Sequence, residues 1–293
     1  MLTVFKLAQE TMLLLRTAGI TFFLTAMFSF AVQHLVYATS STKMTMGYPW
    51  IPVSRGFALM VGAFLILACL AVIANRQAQM ALFLLAVLLL ARALIVFLPL
   101  LARNLRNGSM WTPLAELIAL SGASLCLLAG LSGGTPGPGR ANQMLRSISR
   151  LGKFLFSAPL IVFGSQHFIY ARFVATLVPA WIPGRLFWTD FVGVCFLLAA
   201  AAILLRRFMR QATILLGLMF FSWVVLVHAP RIAAAPRNGY EWTSGFVALA
   251  MAGSAWILSR VNSTAEIDQA FRSTSGETPQ ANSPAKSRRA FGE

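Results

Sequence analysis

Two histidine motifs are the part of this sequence best suited to chemistry. His34 comes three residues before Tyr37, and His167 comes three residues before Tyr170, with a glutamine directly before each histidine. Because residues three apart share one face of a helix, each His and Tyr pair can line a pocket. Imidazole in a pocket can bind a quinone headgroup, ligate haem iron or another metal, or relay protons. In the structural alternative, each histidine only hydrogen-bonds a loop carbonyl at a helix end.

Further ionisable residues accompany His167 in the second part of the chain, where Asp190, His228 and Glu241 stand near the ends of apolar segments. Two histidines and two carboxylates can bind a divalent metal or shuttle protons. No close ligand spacing such as HxxxH is present, so we predict no metal site. We instead predict an asymmetric ligand pocket formed mainly by His167, Tyr170, Asp190 and His228. In the alternative, these groups reach water independently at the membrane interface.

The ligand expected at these sites is a small amphipathic molecule, with quinone as the leading candidate. His34 and Tyr37 are also predicted to contribute to ligand binding. Haem is disfavoured, because one iron would need His34 and His167 to converge on a shared axis.

Arg92 lies near the middle of an apolar segment, where an unpaired charge is costly. Glu116, in the next apolar segment, is about 7 to 8 Å nearer the outer face by the helical rise, a gap that a long arginine side chain can bridge. We therefore predict an intramembrane ion pair between Arg92 and Glu116. A substrate or proton site is the functional alternative.

Composition excludes an ordinary soluble protein. Of the 293 residues, 58% are hydrophobic and 11% are charged, whereas soluble domains carry about a quarter charged residues. Eight apolar stretches are long enough to cross a hydrocarbon core about 30 Å thick. They lie at 17–37, 56–75, 79–102, 112–131, 154–174, 187–205, 211–233 and 242–260. The sequence therefore predicts an all-α membrane protein with eight transmembrane helices.

The chain contains an internal repeat. Residues 49–128 align with 180–259 without a gap, at a constant offset of 131. The pattern RNGxxWT at 106–112 recurs at 237–243, and WIP at 50–52 recurs at 181–183. Apolar composition alone does not produce such matches, so we predict two copies of a four-helix unit. Since each unit crosses the membrane an even number of times, the copies are expected to be parallel, around an axis normal to the membrane.

The two copies differ in their charged residues. Arg92 and Glu116 correspond to Trp223 and Val247, so both charges are absent together from the second copy, as expected for a pair. Conversely, apolar residues of the first copy stand where the second copy is ionisable. Asp190, His228 and Glu241 correspond to Leu59, Phe97 and Met110.

The predicted organisation has five parts. They are an interfacial lead-in at 1–16, a first unit at 17–131, a Gly/Pro-rich and basic linker at 132–153, a second unit at 154–261 and a disordered tail at 262–293. Most Lys and Arg residues lie at the termini, in the linker and in the turns on the same side, which predicts that both termini are cytoplasmic. The formal charge of +16 is therefore attributed to topology and lipid contact, and we predict no nucleic-acid partner.

The second copy resembles the DoxX-like family of bacterial four-helix membrane proteins. The resemblance rests on VFGSQHFIY at 162–170, VPAWIP at 178–183 and Gly193, with a fainter version in the first copy. It implies a four-helix bundle in the bacterial cytoplasmic membrane, and some members of the family are associated with electron transfer from thiosulfate to quinone. Ala63 and Val194 occupy the position after the second-helix glycine where such proteins often carry an acidic residue.

The leading functional expectation is a DoxX-like integral protein that binds a small amphipathic ligand, or supports a membrane redox partner, through its external face. A small-solute transporter and a structural or assembly protein are the alternatives. The sequence contains no P-loop, Rossmann glycine fingerprint, HExxH or GxSxG motif, and it assigns no enzymatic activity.

Overall fold

The computed structural model describes residues 2–39, 54–106, 108–131 and 140–260. Within these ranges the chain is helical and has no strand, and eight helices are long and apolar enough to cross a membrane. The prediction of an all-α membrane protein with eight spans is therefore confirmed. The spans are Glu10–Val36, Arg55–Ile73, Ala78–Arg103, Gly108–Leu131, Asn142–Ile169, Arg185–Leu204, Met209–Ala234 and Gly239–Ser259.

In the first half, the described residues form five α-helices and one π-helical segment. They are α1 Leu2–Thr39, α2 Arg55–Ile73, α3 Ala78–Arg92, the π segment Ala93–Phe97, α4 Leu98–Arg103 and α5 Gly108–Leu131. The second half forms α6 Arg140–Ile169, α7 Ala171–Leu177, α8 Arg185–Leu204, α9 Met209–Trp223, the π segment Val224–His228, α10 Ala229–Ala234 and α11 Gly239–Arg260.

Irregular features recur at the offset of the sequence repeat. Each π segment directly precedes a helix with proline in its first turn, Pro99 in α4 and Pro230 in α10. Proline has no N–H to donate to the carbonyl four residues earlier, so the backbone is free to adopt the wider turn there. The turn after α2 has left-handed residues at Asn75 and Gln77, and the turn after α8 has them at the positions 131 residues later.

Two predicted boundaries lie inside helices. α6 begins at Arg140, whereas the sequence predicted a linker through 153, and α1 runs continuously through the predicted lead-in at 1–16. Hydropathy detects only the apolar part of a helix, but Arg, Lys and Gln are good helix formers and extend it into the polar region. The Gly/Pro-rich stretch 132–139 and the predicted tail 262–293 lie outside the described residues.

The two halves of the chain pack against each other through their first and last helices. α1 of the first half packs along α11 of the second, and α5 packs along α6. A Cβ added to Gly253 of α11 would lie 2.5 Å from the carbonyl oxygen of Gly19, and one added to Gly122 of α5 would lie 2.5 Å from that of Gly152. These glycines therefore permit close backbone contact, as is common between helices in membranes. α5 and α11 also contact each other and are the most buried spans.

The outer helices present large apolar side chains on the surface. Leu67, Ile95, Leu198 and Leu215 are each about two-thirds or more exposed. In a helix that spans a bilayer, such side chains face the lipid chains. The lipid bilayer is therefore the partner of this surface.

Candidate functional site

The second half contains a cavity of about 670 Å³, bounded by α6, α7, α8, α9, α11 and the first part of α5. It extends along α5 from Gly108 to Glu116 and along α11 from Tyr240 to Met251, which is about 12 Å and about 17 Å by the helical rise. Arg106, Tyr240 and Phe173 are exposed, so the cavity reaches the surface at the end where α5 and α11 begin. Most of its wall is apolar.

His167 lines this cavity from α6. Its Nδ1 lies 2.8 Å from the carbonyl oxygen of Phe163, and because a carbonyl can only accept, Nδ1 carries the proton and donates. Among the described residues, Nε2 of His167 makes no hydrogen bond. The ring also meets Phe196 and Trp223 edge-on, at centroid distances of 5.2 and 6.3 Å. In the neutral ring, Nε2 is a hydrogen-bond acceptor held in an aromatic setting.

His228, the last residue of the second π segment, lines the same cavity. Its Nδ1 is buried and has no hydrogen-bond partner among the described residues. Buried polar atoms in proteins are nearly always hydrogen-bonded, so an unsatisfied one requires an explanation such as a ligand or an ordered water. His167 and His228 approach the cavity from different helices, and the structure thus brings two of the predicted site residues together.

Tyr170 also lines the cavity, near its exposed end. Its ring rests on Gly108, where an added Cβ would lie 2.5 Å from the tyrosine oxygen. The neighbouring Gln166 accepts a hydrogen bond from Thr112 at 3.2 Å and donates one to the carbonyl of Gly108 at 3.1 Å. The glutamine of the second-half histidine motif is therefore bound to the RNGxxWT motif of the first half.

The same contact occurs reciprocally, because Thr243 donates to Gln33 at 2.7 Å. Each glutamine that precedes a motif histidine thus holds the threonine of the other half's RNGxxWT motif. Sequence reasoning could not detect this pairing, because the partners are 54 and 210 residues apart.

Asp190 does not line the cavity. It lies on α8, and no hydrogen bond joins it to His167 among the described residues. The predicted group of four residues is therefore reduced to His167, Tyr170 and His228 at the cavity wall, and Asp190 is a neighbour of the site.

His34 lines a separate cavity of about 160 Å³ in the first half. Its Nδ1 lies 2.7 Å from the carbonyl oxygen of Phe30, the same interaction that His167 makes. Leu117 lines the smaller cavity, and Ala248, which aligns with it at the offset of 131, lines the larger one. The two histidines, which one haem iron would need on a shared axis, line different cavities. The side chain of Tyr37 lies outside those described.

Arg92 and Glu116 line different cavities, Arg92 the smaller and Glu116 the larger. They belong to α3 and α5, which pack against each other. The predicted ion pair would thus cross the wall that separates the cavities. It stays a prediction.

Sequence reasoning missed an ion pair in the second half, near the start of α11. Arg231 donates from Nε and Nη2 to the two carboxylate oxygens of Glu241, at 2.8 and 2.9 Å. The sequence did contain a signal for this pair. The first-half residues that align with Arg231 and Glu241 are Leu100 and Met110, and both are apolar. The same joint absence suggested the pair of Arg92 with Glu116.

No group of three or more His, Cys, Asp or Glu side chains within the described ranges could hold a metal ion. Glu241 is instead bound to Arg231.

Comparison of the chain with models of known families, with curated proteins and with solved structures yields no match.

Proposed function

We propose that this protein binds a small amphipathic ligand in the second-half cavity. The observation that carries the proposal is an apolar cavity of about 670 Å³ with two imidazoles, His167 and His228, in its wall. Ligand sites in proteins typically enclose about 300 to 1,000 Å³ and combine apolar walls with a few placed polar groups. The volume of the second-half cavity lies within this range, and its wall combines apolar side chains with a few polar groups.

The wall chemistry favours a ligand with a flat ring and polar oxygen atoms. Phe163, Phe196, Phe220 and Trp223 supply aromatic surface, against which a ring can pack edge-on or offset. Nε2 of His167 can accept from a ligand hydroxyl, and Tyr170 can donate to a carbonyl. Quinones and quinols fit this description, and the resemblance to DoxX-like proteins supports the same ligand class.

The proposed setting is the bacterial cytoplasmic membrane, with both termini in the cytoplasm and the cavity mouth on the external side. The distribution of Lys and Arg supports this orientation. We also propose that the chain arose as two parallel four-helix repeats. The repeated motifs, the paired π segments and the paired left-handed turns support it.

A binding experiment with matched variants tests the proposed function. The purified protein in lipid nanodiscs is titrated with decylubiquinone, and quenching of tryptophan fluorescence reports binding near Trp223. His167→Ala is expected to weaken binding about tenfold, the effect of one lost hydrogen bond. His34→Ala is the control, because His34 makes the same backbone contact beside the smaller cavity.

Wild-type protein and the His34→Ala variant are expected to bind alike. Organic extraction of the membrane-purified protein, followed by an absorption spectrum, would show whether a quinone is retained from the cell. Absence of binding in the wild type, or equal losses in both histidine variants, would refute the proposal.

A further inference from the structure

The internal repeat provides a comparison within the chain for the wall around His228. Four neighbouring positions of the second half differ in character from their first-half counterparts. His228, Arg231, Glu241 and Gly245 stand where the first half has Phe97, Leu100, Met110 and Leu114. Phe97 and Leu114 are buried in the apolar core. The first half thus has four apolar side chains at these positions, whereas the second half has a glycine and three polar residues there, beside a cavity.

These second-half residues lie on two helix faces that meet. On α11, Glu241 and Gly245 are four residues apart and share a face. A Cβ at Gly245 would lie 3.0 Å from Cδ1 of Ile232 and 3.4 Å from Cβ of His228. The segment from His228 to Ile232 therefore packs closely on α11 at Gly245, and the bidentate contact of Arg231 with Glu241 joins the same faces one turn away.

The ion pair lies next to His228 without occupying its free nitrogen. Arg231 comes three residues after His228 in the chain, yet Nδ1 of His228 has no hydrogen-bond partner among the described residues. Arg231 and Glu241 bind each other through two hydrogen bonds, a geometry that fixes orientation as well as distance. The pair thus restrains the segment that carries His228 and leaves the imidazole available at the cavity wall.

We propose that Arg231 and Glu241 are positioning residues that hold His228 as the second hydrogen-bonding contact of the cavity ligand. The inference rests on the proposed function, because it assigns His228 to the ligand of the same cavity. His167 contacts that ligand from α6, and His228 contacts it from the end of the π segment after α9. The pair Arg231 with Glu241 touches no ligand itself.

The double variant Arg231→Leu/Glu241→Met tests the proposal. It introduces the residues found in the first half and removes both charges together, which avoids an unpaired buried charge. Hydrogen–deuterium exchange at the C2 carbon of each imidazole, followed by mass spectrometry, reports the setting of His228 without any ligand. The exchange rate of His228 is expected to change and that of His167 to stay constant. An unchanged rate at His228 would overturn the positioning role.

Titration with decylubiquinone provides the second measurement. The double variant is expected to lose about tenfold in affinity, as much as His228→Phe. Adding His228→Phe to the double variant should cost nothing more, because the histidine is already displaced. Full affinity in the double variant, or losses that add, would overturn the inference. Arg237→Leu, an exposed arginine on the same outer end, is the control.

The two measurements separate this inference from the proposed function. If the wild-type protein binds no decylubiquinone, the proposed function fails, and so does the ligand contact assigned to His228. An unchanged exchange rate at His228 would still overturn the positioning role of Arg231 and Glu241.

Discussion

At the scale of residues, the two motif histidines share one local backbone contact but line cavities of different size. His34 and His167 each donate from Nδ1 to the carbonyl four residues earlier. His34 is 5% exposed beside a cavity of about 160 Å³, whereas His167 faces about 670 Å³. The Nδ1 contact is the same in both, so the neighbouring side chains decide how much space each imidazole meets. Each Nδ1 thus donates to a carbonyl of its own helix and not to a loop carbonyl, which corrects the structural alternative, and ligand binding at Nε2 of His167 stays a proposal.

The predicted pair of Arg92 with Glu116 is testable by a double-mutant cycle. Arg92→Ala or Glu116→Ala alone is expected to lower the free energy of unfolding by about 3 kcal/mol, because each leaves the other group buried in apolar surroundings. The double variant should lose less than the sum of the two. Thermal unfolding in detergent measures the three losses. Arg103→Ala, at an exposed arginine at the end of α4, is the control and should have little effect.

Losses that simply add in the double variant would mean that Arg92 and Glu116 are not coupled.

At the scale of elements, the tight turns between α2 and α3 and between α8 and α9 contain residues in the left-handed region. Gln77 has φ 55° and Phe208 has φ 56°, and each directly precedes a helix. A side chain at such an angle is unfavourable, whereas glycine adopts it readily. The short turn requires this backbone because it reverses the chain within a few residues.

Gln77→Gly is therefore expected to raise the free energy of unfolding by up to about 1 kcal/mol. The measurement is again thermal unfolding in detergent. Ala74→Gly provides the matched comparison. Ala74 directly follows α2 with φ −74°, an angle that alanine adopts without strain, so glycine should not stabilise the protein there. Stabilisation by Ala74→Gly, or destabilisation by Gln77→Gly, would contradict the argument.

At the scale of the whole molecule, the first helix of each half packs against the last helix of the other half. The contacts of Gly19 with Gly253 and of Gly122 with Gly152 allow this close approach. Reciprocal hydrogen bonds between Gln33 and Thr243 and between Gln166 and Thr112 join the halves at the motif end. The halves therefore form one bundle, because the first and last helices of each half pack against helices of the other half.

The orientation of this bundle predicts the outcome of reporter fusions. Alkaline phosphatase fused after Arg207 is expected to be inactive, because the basic turn between α8 and α9 should be cytoplasmic. The same enzyme fused after Asn238 should be active on the external side. A green fluorescent protein fused at the same two sites is the control and should show the opposite pattern. Activity after Arg207 together with inactivity after Asn238 would invert the topology and place the cavity mouth in the cytoplasm.

The sequence by itself determined the number and approximate places of the spans, because hydropathy over about 20 residues is a local property. It also indicated His167, Tyr170, Asp190 and His228 as residues of one region, because they stand near the ends of apolar segments. It misjudged where α6 begins, because the charged residues from Arg140 to Lys153 continue the helix without an apolar signal.

Only the tertiary structure decided which of these residues share a wall. Asp190 is left out of the cavity wall and Glu241 is bound to Arg231, which depends on how α8, α10 and α11 rotate against their neighbours. The pairing of α1 with α11, and the difference in volume between the cavities, depend on contacts between segments far apart in the chain. Helical periodicity specifies a face of each helix, but the partner of that face is set by the packing of all the helices together.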